Sequence, residues 1–324
     1  MTRPLRIGLI GASNLAITSI IEPARKIGDV EITMVAAREI SRAIDYAAAN
    51  NIRSVAANYQ ELIKSGGVDL VYICLPNVLH EEWGTLALEN KLHVLLEKPA
   101  APDEAAAMRL LAAASKNNCR LIEAFHYHYH PLFTAIKQLV LDGNLGTIKS
   151  FSAKLDVPMP PSENAARWDK ELGGGVMLDI GCYPVHWARH LVGEFEPIET
   201  ITKFAETGVD GAVVAHVKFG NGAIGTIDVS MTPHNGQRYS RLKLEMTNGA
   251  IEVRNLVLPH YGHDFNWRIG DEWHHKEFKG GTTYFYQLQA IKEAIKSGGK
   301  LPTEGDDILK NAQSIMAILN KQVG

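Results

Sequence analysis

The segment Leu5-Arg6-Ile7-Gly8-Leu9-Ile10-Gly11-Ala12-Ser13-Asn14-Leu15-Ala16 constrains the fold more than any other. An apolar run breaks at small residues and passes directly into a helical pattern, as a buried parallel strand does when it enters its crossover helix. The backbone N–H groups that begin such a helix can hold a pyrophosphate. Against the G-x-G-x-x-G/A pattern the matching positions are Gly11, Ser13 and Ala16. Ser13 stands in for the middle glycine, so its side chain either crowds the phosphates or offers them a hydroxyl. A turn that holds no ligand has the same local pattern, so the decision rests on the rest of the chain.

Beyond this turn, short strands alternate with helices. Strand patterns at Leu5–Ile10, Ile32–Ala36, Leu70–Leu75, His93–Leu96 and Arg120–Phe125 are apolar on both faces, as strands covered by helices must be. Between them lie helical patterns at Asn14 to about Ile21, Ser41–Asn50, Tyr59–Lys64, Glu82–Asn90 and Asp103–Lys116. Pro23 is expected to end or kink the first of these, and Asn58 with Glu61 forms a capping box. Beyond about Ala124 the pattern changes. A helix follows Pro131 and another spans Val176 to about Val192, after which alternating strands and two last helices, Thr283–Lys296 and Asp306–Lys321, close the chain. Asn221-Gly222 and Asn248-Gly249 predict two-residue type I′ hairpins, with Leu242, Leu244 and Met246 on one face and Arg241, Lys243 and Glu245 on the other. The expected architecture is α/β: a Rossmann doubly wound parallel sheet over 1–124, then an α/β domain over 125–324 with a large, mostly antiparallel open sheet. A length of 324 residues suits two such domains.

Composition excludes several function classes. Lys and Arg number 33 against 36 Asp and Glu, a net charge of -3, so no basic field gathers nucleic acid or an anionic membrane. No apolar stretch is long enough for a membrane span. Arg3 and Arg6 before an apolar run imitate a secretion signal, but Gly8, Gly11, Ser13 and Asn14 interrupt it. Cys74, Cys119 and Cys182 fit no disulfide or zinc spacing, which suits a reducing cytoplasm.

Three further stretches carry chemistry. At the end of the second strand Arg38 occupies the place where NAD-binding chains usually offer a carboxylate to the adenosine ribose; a guanidinium there suits a 2′-phosphate instead, so NADP is expected over NAD. A solvated arginine without a cofactor role is the plain alternative. Asn77 and Lys98 follow apolar strands and should emerge at the carboxyl edge of the sheet, where open α/β folds bind ligands. Asp179 and Tyr183 are four apart in a helical pattern, so both face the same way, and a cap paired with a core aromatic would leave the same trace. His126, His128 and His130 recur every second residue; a continuing strand would set them on one face as metal ligands, but Pro131 starts a helix and no carboxylate is near, so no metal is expected.

Glu97-Lys98-Pro99 after the fourth strand, Pro76-Asn77-Val78-Leu79-His80 before it, and Gly173-Gly174-Gly175-Val176-Met177-Leu178-Asp179-Ile180-Gly181-Cys182-Tyr183 together resemble the glucose-fructose oxidoreductase/inositol dehydrogenase/MocA (Gfo/Idh/MocA) family. Glu123-Ala124-Phe125-His126-Tyr127-His128-Tyr129-His130-Pro131 is similar to a segment of the branch with dimeric dihydrodiol and xylose dehydrogenases, with His128 in place of the usual arginine. The resemblance implies hydride transfer between nicotinamide and a secondary alcohol or ketone of a sugar, polyol or related diol, in a site between the two domains. It implies Lys98, Asp179 and Tyr183 as catalytic residues, and Gly11, Ala12, Ser13, Asn14, Ala16, Arg38, Leu75, Pro76, Asn77, His80, Glu97 and Lys98 along the dinucleotide. His126, His128, Arg167 and Trp168 would border a small polyhydroxylated substrate, with an ordinary loop anchor the alternative for the last two. A homodimer or homotetramer through the open sheet is also implied. Two rivals share the fold: a sugar-responsive regulator that binds cofactor without turnover, and an NAD-dependent glycosidase.

Overall fold

The computed structural model describes residues 3–161 and 165–323 and divides into two compact units, Met1–His126 with Tyr284–Leu309, and Tyr127–Thr283 with Lys310–Gly324. In the first, β1 (Leu5–Ile10), β2 (Val30–Ala36), β3 (Ser54–Val55), β4 (Leu70–Ile73), β5 (His93–Leu96) and β6 (Leu121–Glu123) form a parallel sheet in the order β3-β2-β1-β4-β5-β6. Ile7, Leu9, Ile10, Leu70, Val71, Val94 and Leu96 are wholly buried, since helices cover both faces of such a sheet. The strand order reverses between β1 and β4, the switch point at which ligands bind. Asn58 accepts from the Glu61 N–H at 2.8 Å and Asp103 from that of Ala106 at 2.8 Å, while Asn51 and Asn118 end their helices in the left-handed region, where asparagine costs little.

Two local expectations change. The first helix runs through Pro23: Asn14–Ala16 is α-helical, Ile17–Ile21 is a π-helical turn, and Glu22–Lys26 is α-helical again. Proline lacks an N–H and crowds the carbonyl four residues back; here that carbonyl belongs to Ser19, inside the widened turn, so the helix absorbs the proline. The second change concerns Tyr284–Leu309, expected in the second domain but packed in the first unit. Glu123 N–H donates to the Thr303 carbonyl at 2.8 Å, and the Arg120 guanidinium holds both Glu304 oxygens at 2.9 Å. These pairings span about 180 residues and leave no periodic trace in the sequence.

In the second unit nine strands form one sheet, ordered β14-β13-β12-β11-β7-β10-β9-β8-β15: β7 (Ile148–Asp156), β8 (Phe195–Phe204), β9 (Asp210–Phe219), β10 (Ile224–Ser230), β11 (Tyr239–Met246), β12 (Gly249–Arg254), β13 (Asp264–Ile269), β14 (Glu272–His275) and β15 (Gln322–Val323). Only β10 with β7 and β15 with β8 run parallel. Leu242, Leu244 and Met246 are buried while Arg241 and Lys243 pair with Glu252 on the other face, as the alternation predicts. Both hairpins differ in detail. Phe219 closes a three-residue loop over Gly220, Asn221 and Gly222 by donating its N–H to the Ala223 carbonyl, with Gly222 alone at positive φ. At the other, Thr247 and Asn248 form the loop and Gly249 already pairs with Met246; a Cβ at 249 would lie 2.0 Å from the Arg268 carbonyl, so this glycine answers to close approach rather than to turn φ.

Candidate active site

The strand-to-helix turn of the first unit is built around Gly11. Its φ is +106°, and a Cβ there would stand 2.7 Å from the Cys74 carbonyl, so only glycine lets the end of β1 lie against the end of β4. Ser13 caps the helix, accepting from the Leu15 N–H at 3.2 Å; a side chain is tolerated because the residue is extended. Ala12 and Ala16 are buried and Asn14 is exposed. Two residues absent from the sequence expectation hold this turn: Arg42 donates to the Ala12 carbonyl at 2.9 Å and the Tyr46 hydroxyl to the Ser13 carbonyl at 2.8 Å. Arg38 is exposed, and Arg38 and Arg42 both stand close enough to Tyr59 to favour its phenolate, although burial is stronger and raises its pKa. Two arginines therefore add positive charge near the end of β2; the Arg-x-x-x-Arg spacing at the start of a helix is the signal that could have found the second.

On the other side of the switch point, Leu75, Pro76 and Asn77 are partly exposed. His80, expected along the dinucleotide, is fully buried, with Nδ1 3.0 Å from the Pro99 carbonyl and Nε2 2.9 Å from that of Leu75. Burial pushes its pKa down to about 4, so the neutral ring ties loop 75–80 to loop 98–100 through their backbone carbonyls. Glu97 is buried too, its Oε1 accepting from the Tyr72 hydroxyl at 2.5 Å, and Ser19 joins that phenol at 2.9 Å. The next residue, Lys98, is half-buried.

In the second unit, Asp179 lies in a π-helical turn, Met177–Gly181, that continues as the α-helix Cys182–Leu191 bearing Tyr183. Such turns are rare and concentrate at functional sites. The helix lies on β7 and β10. Arg167 Nε donates to Asp179 Oδ2 at 2.9 Å, a pair 12 residues apart made possible by the glycines between: Gly174 sits where a Cβ would be 2.6 Å from the Ala166 and Arg167 carbonyls, and Gly175 N–H donates to the Arg167 carbonyl at 2.9 Å. Tyr183 is 7% exposed and Tyr127 lies edge-on to it, ring centres 6.0 Å apart.

The residues expected to border the substrate differ in exposure. Trp168 is 5% exposed with no hydrogen-bond partner for its indole N–H among the described residues. The stretch His126–Tyr129 forms a 3₁₀ turn instead of continuing β6, so the three histidines diverge. His126 is buried against Tyr284, ring centres 4.1 Å apart. His128 is buried, its Nε2 3.2 Å from His190 Nδ1, within an aromatic group where the Tyr127 hydroxyl meets His186 Nδ1 at 2.5 Å. His130 caps the helix Pro131–Leu141 by accepting from the Leu132 N–H. His126, His128 and Tyr183 are buried to a similar degree, and Arg167 remains half-exposed.

Comparison with known proteins agrees with both units. A model described as "Oxidoreductase family, NAD-binding Rossmann fold" matches residues 5–125, and the GFO/IDH/MocA C-terminal domain matches 133–252. A D-xylose 1-dehydrogenase (NADP(+)) of Haloferax volcanii is 28% identical over 97% of this chain and 96% of its own. A dTDP-3,4-didehydro-2,6-dideoxy-α-D-glucose 3-reductase of Saccharopolyspora spinosa is 33% identical over 68% of this chain and 69% of its own. The 3-ketoreductase KijD10 of Actinomadura kijaniata, solved with NADP and TDP-benzene, superposes with a TM-score of 0.91 at 25% identity, covering 99% of this chain and 98% of its own. With a glycine-turn Rossmann unit, a nine-stranded partner and matches across both, the chain belongs to the GFO/IDH/MocA oxidoreductase family.

Proposed function

We propose that this chain is an NADP-dependent oxidoreductase acting on a secondary alcohol or ketone of a sugar or related diol, with Lys98, Asp179 and Tyr183 as its catalytic residues. The observation that carries the cofactor preference is that the position two residues past β2, where a carboxylate would meet the adenosine ribose, holds Arg38, with Arg42 one helical turn further on and Glu39 between them. Gly11, Ala12, Ser13, Asn14 and Ala16 would receive the pyrophosphate, the two arginines the 2′-phosphate, and Leu75, Pro76, Asn77, Glu97 and Lys98 the rest of the dinucleotide. The names of the Haloferax and Actinomadura relatives support NADP. When bound, the nicotinamide ring gives or takes the hydride.

Alcohol oxidation also releases a proton, so an acceptor must lie within hydrogen-bond reach of the hydroxyl. Tyr183 exchanges that proton. An ammonium favours a phenolate, which is the role assigned to Lys98 along with polarising the substrate oxygen. Asp179, held by Arg167, orients the substrate. The open face of the nine-stranded sheet supports a homodimer or homotetramer: Ile201, Ile224, Tyr239 and Trp273 are exposed there among the Lys154–Asp228 and Arg241–Glu252 pairs. None of the three cysteines is joined in a disulfide, in keeping with a cytoplasmic location, and among the described residues no helix is long and apolar enough to cross a membrane.

The test is absorbance of reduced nicotinamide with NADP and NAD over a panel of D-xylose, D-glucose, trans-1,2-dihydrobenzene-1,2-diol and, in reverse, a dTDP-ketosugar. Net turnover preferring NADP, abolished in Tyr183→Phe and Lys98→Met, is expected. Sugar release without net reduction would replace this reading by a glycosidase, and cofactor binding without either by a regulator.

A further inference from the structure

The helix bearing Asp179 and Tyr183 has no local cap. Val176, at its start, makes no side-chain capping bond, and Gly173, Gly174 and Gly175 before it have no side chains to offer. The first N–H groups of a helix need an acceptor. One is supplied from a distant strand: Asp210, the first residue of β9, accepts the Met177 N–H on Oδ2 at 2.8 Å, and the Val176 N–H is also directed at its carboxylate. Gly175 makes room for this, since a Cβ there would stand 2.0 Å from Asp210 Oδ1.

We propose that Asp210 is a positioning residue for catalysis: by holding the Val176–Met177 backbone, it sets where the π turn begins and hence where Asp179 and Tyr183 point. The inference rests on the catalytic reading of those two residues given above. Two features separate it from an ordinary structural contact. Among the described residues no cation pairs with Asp210, and burial pushes its pKa up to about 6 against the pull of backbone N–H groups, so this carboxylate is kept in an unfavourable place for what it holds. It is also one of three restraints meeting at Asp179, with the Arg167 guanidinium and the Asp179 N–H bond to the Gly175 carbonyl at 2.9 Å. The triple glycine then has a division of labour: Gly174 admits the Arg167 backbone and Gly175 admits Asp210.

The experiment compares Asp210→Ala, Asp210→Asn, Tyr183→Phe and Val213→Ala, the last a buried position on the same strand. Each is measured for kcat and KM with NADP and the fastest sugar of the panel, for NADP affinity by fluorescence, and for Tm. Displacement of a reacting group by about 1 Å costs about 100-fold, so Asp210→Ala is expected to lower kcat by about 10- to 100-fold with NADP affinity unchanged. Asparagine caps helices about as well as aspartate, so Asp210→Asn should return kcat to within roughly fivefold of wild type. Val213→Ala should lower Tm and leave kcat in place. If the alanine variant does not fold, Asp210→Ser, too short to reach the same N–H groups, takes its place in the comparison. The proposal is overturned if Asp210→Ala turns over at the wild-type rate, if Asp210→Asn is as slow as Asp210→Ala, or if Val213→Ala loses kcat equally. Wild-type turnover in Tyr183→Phe overturns the catalytic reading and this inference together; an inactive Tyr183→Phe beside an unimpaired Asp210→Ala overturns only the part played by Asp210.

Discussion

Arg38 and Arg42 allow the cofactor preference to be split into two contributions that the structure keeps apart. Arg38 is exposed at the end of β2, whereas Arg42 donates to the Ala12 carbonyl of the glycine turn. A hydrogen bond to a charged partner contributes about 1.5–3 kcal/mol, and each 1.4 kcal/mol is about tenfold. Arg38→Ala should therefore raise KM for NADP by roughly 10- to 100-fold and leave KM for NAD unchanged. Arg42→Ala should carry a similar penalty for NADP and a further one for both cofactors, because the guanidinium bond to the Ala12 carbonyl, weakened to about 1 kcal/mol by solvent at this exposed residue, is lost. NAD then weakens by roughly fivefold. Initial rates with both cofactors at two ionic strengths provide the assay, and the wild-type preference for NADP should shrink as salt screens the exposed guanidiniums. Equal loss for NAD and NADP in Arg38→Ala, or a wild-type preference for NAD, would refute the reasoning.

The same geometry sets other expected outcomes. Glu304→Ala leaves Arg120 partly buried without its carboxylate, so chemical denaturation should show a loss of about 2–3 kcal/mol, and wild-type stability would show that the ion pair adds nothing to what the backbone hydrogen bonds and packing of Tyr284–Leu309 already provide. His130 is 2% exposed and its pKa is pushed down to about 4 by burial and by His263 and His260. The unfolded chain binds its proton more tightly, so stability is fully present above about pH 6.5 and declines as pH falls toward 4, by about 3 kcal/mol. His130→Asn keeps a capping side chain and removes the titration, so its stability curve should be flatter than wild type over that window; identical slopes would assign the acid loss elsewhere. Tyr239→Glu on the open sheet face should shift sedimentation toward monomer at unchanged Tm, and an unaltered oligomer would place the interface on another surface.

What could be read from the sequence was local. Period-two and period-3.6 patterns located the strands and helices, the Asn58 capping box formed as written, and the Gly11 turn stands where a first strand of this kind needs it. Residues whose partners lie far along the chain were not readable. Arg42, Asp210 and Glu304 look like surface charges until a fold brings Ala12, Met177 and Arg120 to them. The neighbours of the histidine triplet were not readable, because a 3₁₀ turn at His126–Tyr129 follows the strand and every-second-residue periodicity carries no information about contacts there.

The prolines show how a local rule fails in a way that has meaning. Pro23 and Pro184 both sit inside continuous helical segments, where proline should break the helix. In each case the carbonyl four residues earlier, of Ser19 or of Ile180, lies within a π-helical turn, Ile17–Ile21 or Met177–Gly181, so the chain widens where the ring would clash. The first turn lies just after the glycine turn at Gly11 and the second contains Asp179. A sequence rule that forbids proline assumes α-helical spacing throughout; the structure relaxes that spacing in the two helices that follow the Gly11 turn and the triple glycine, and Pro184→Ala, by permitting an ordinary α turn at Ile180, should rotate Asp179 relative to Tyr183 and lower kcat while raising Tm. A Pro184→Ala enzyme that is both more stable and fully active would show that the widened turn serves the proline and nothing else.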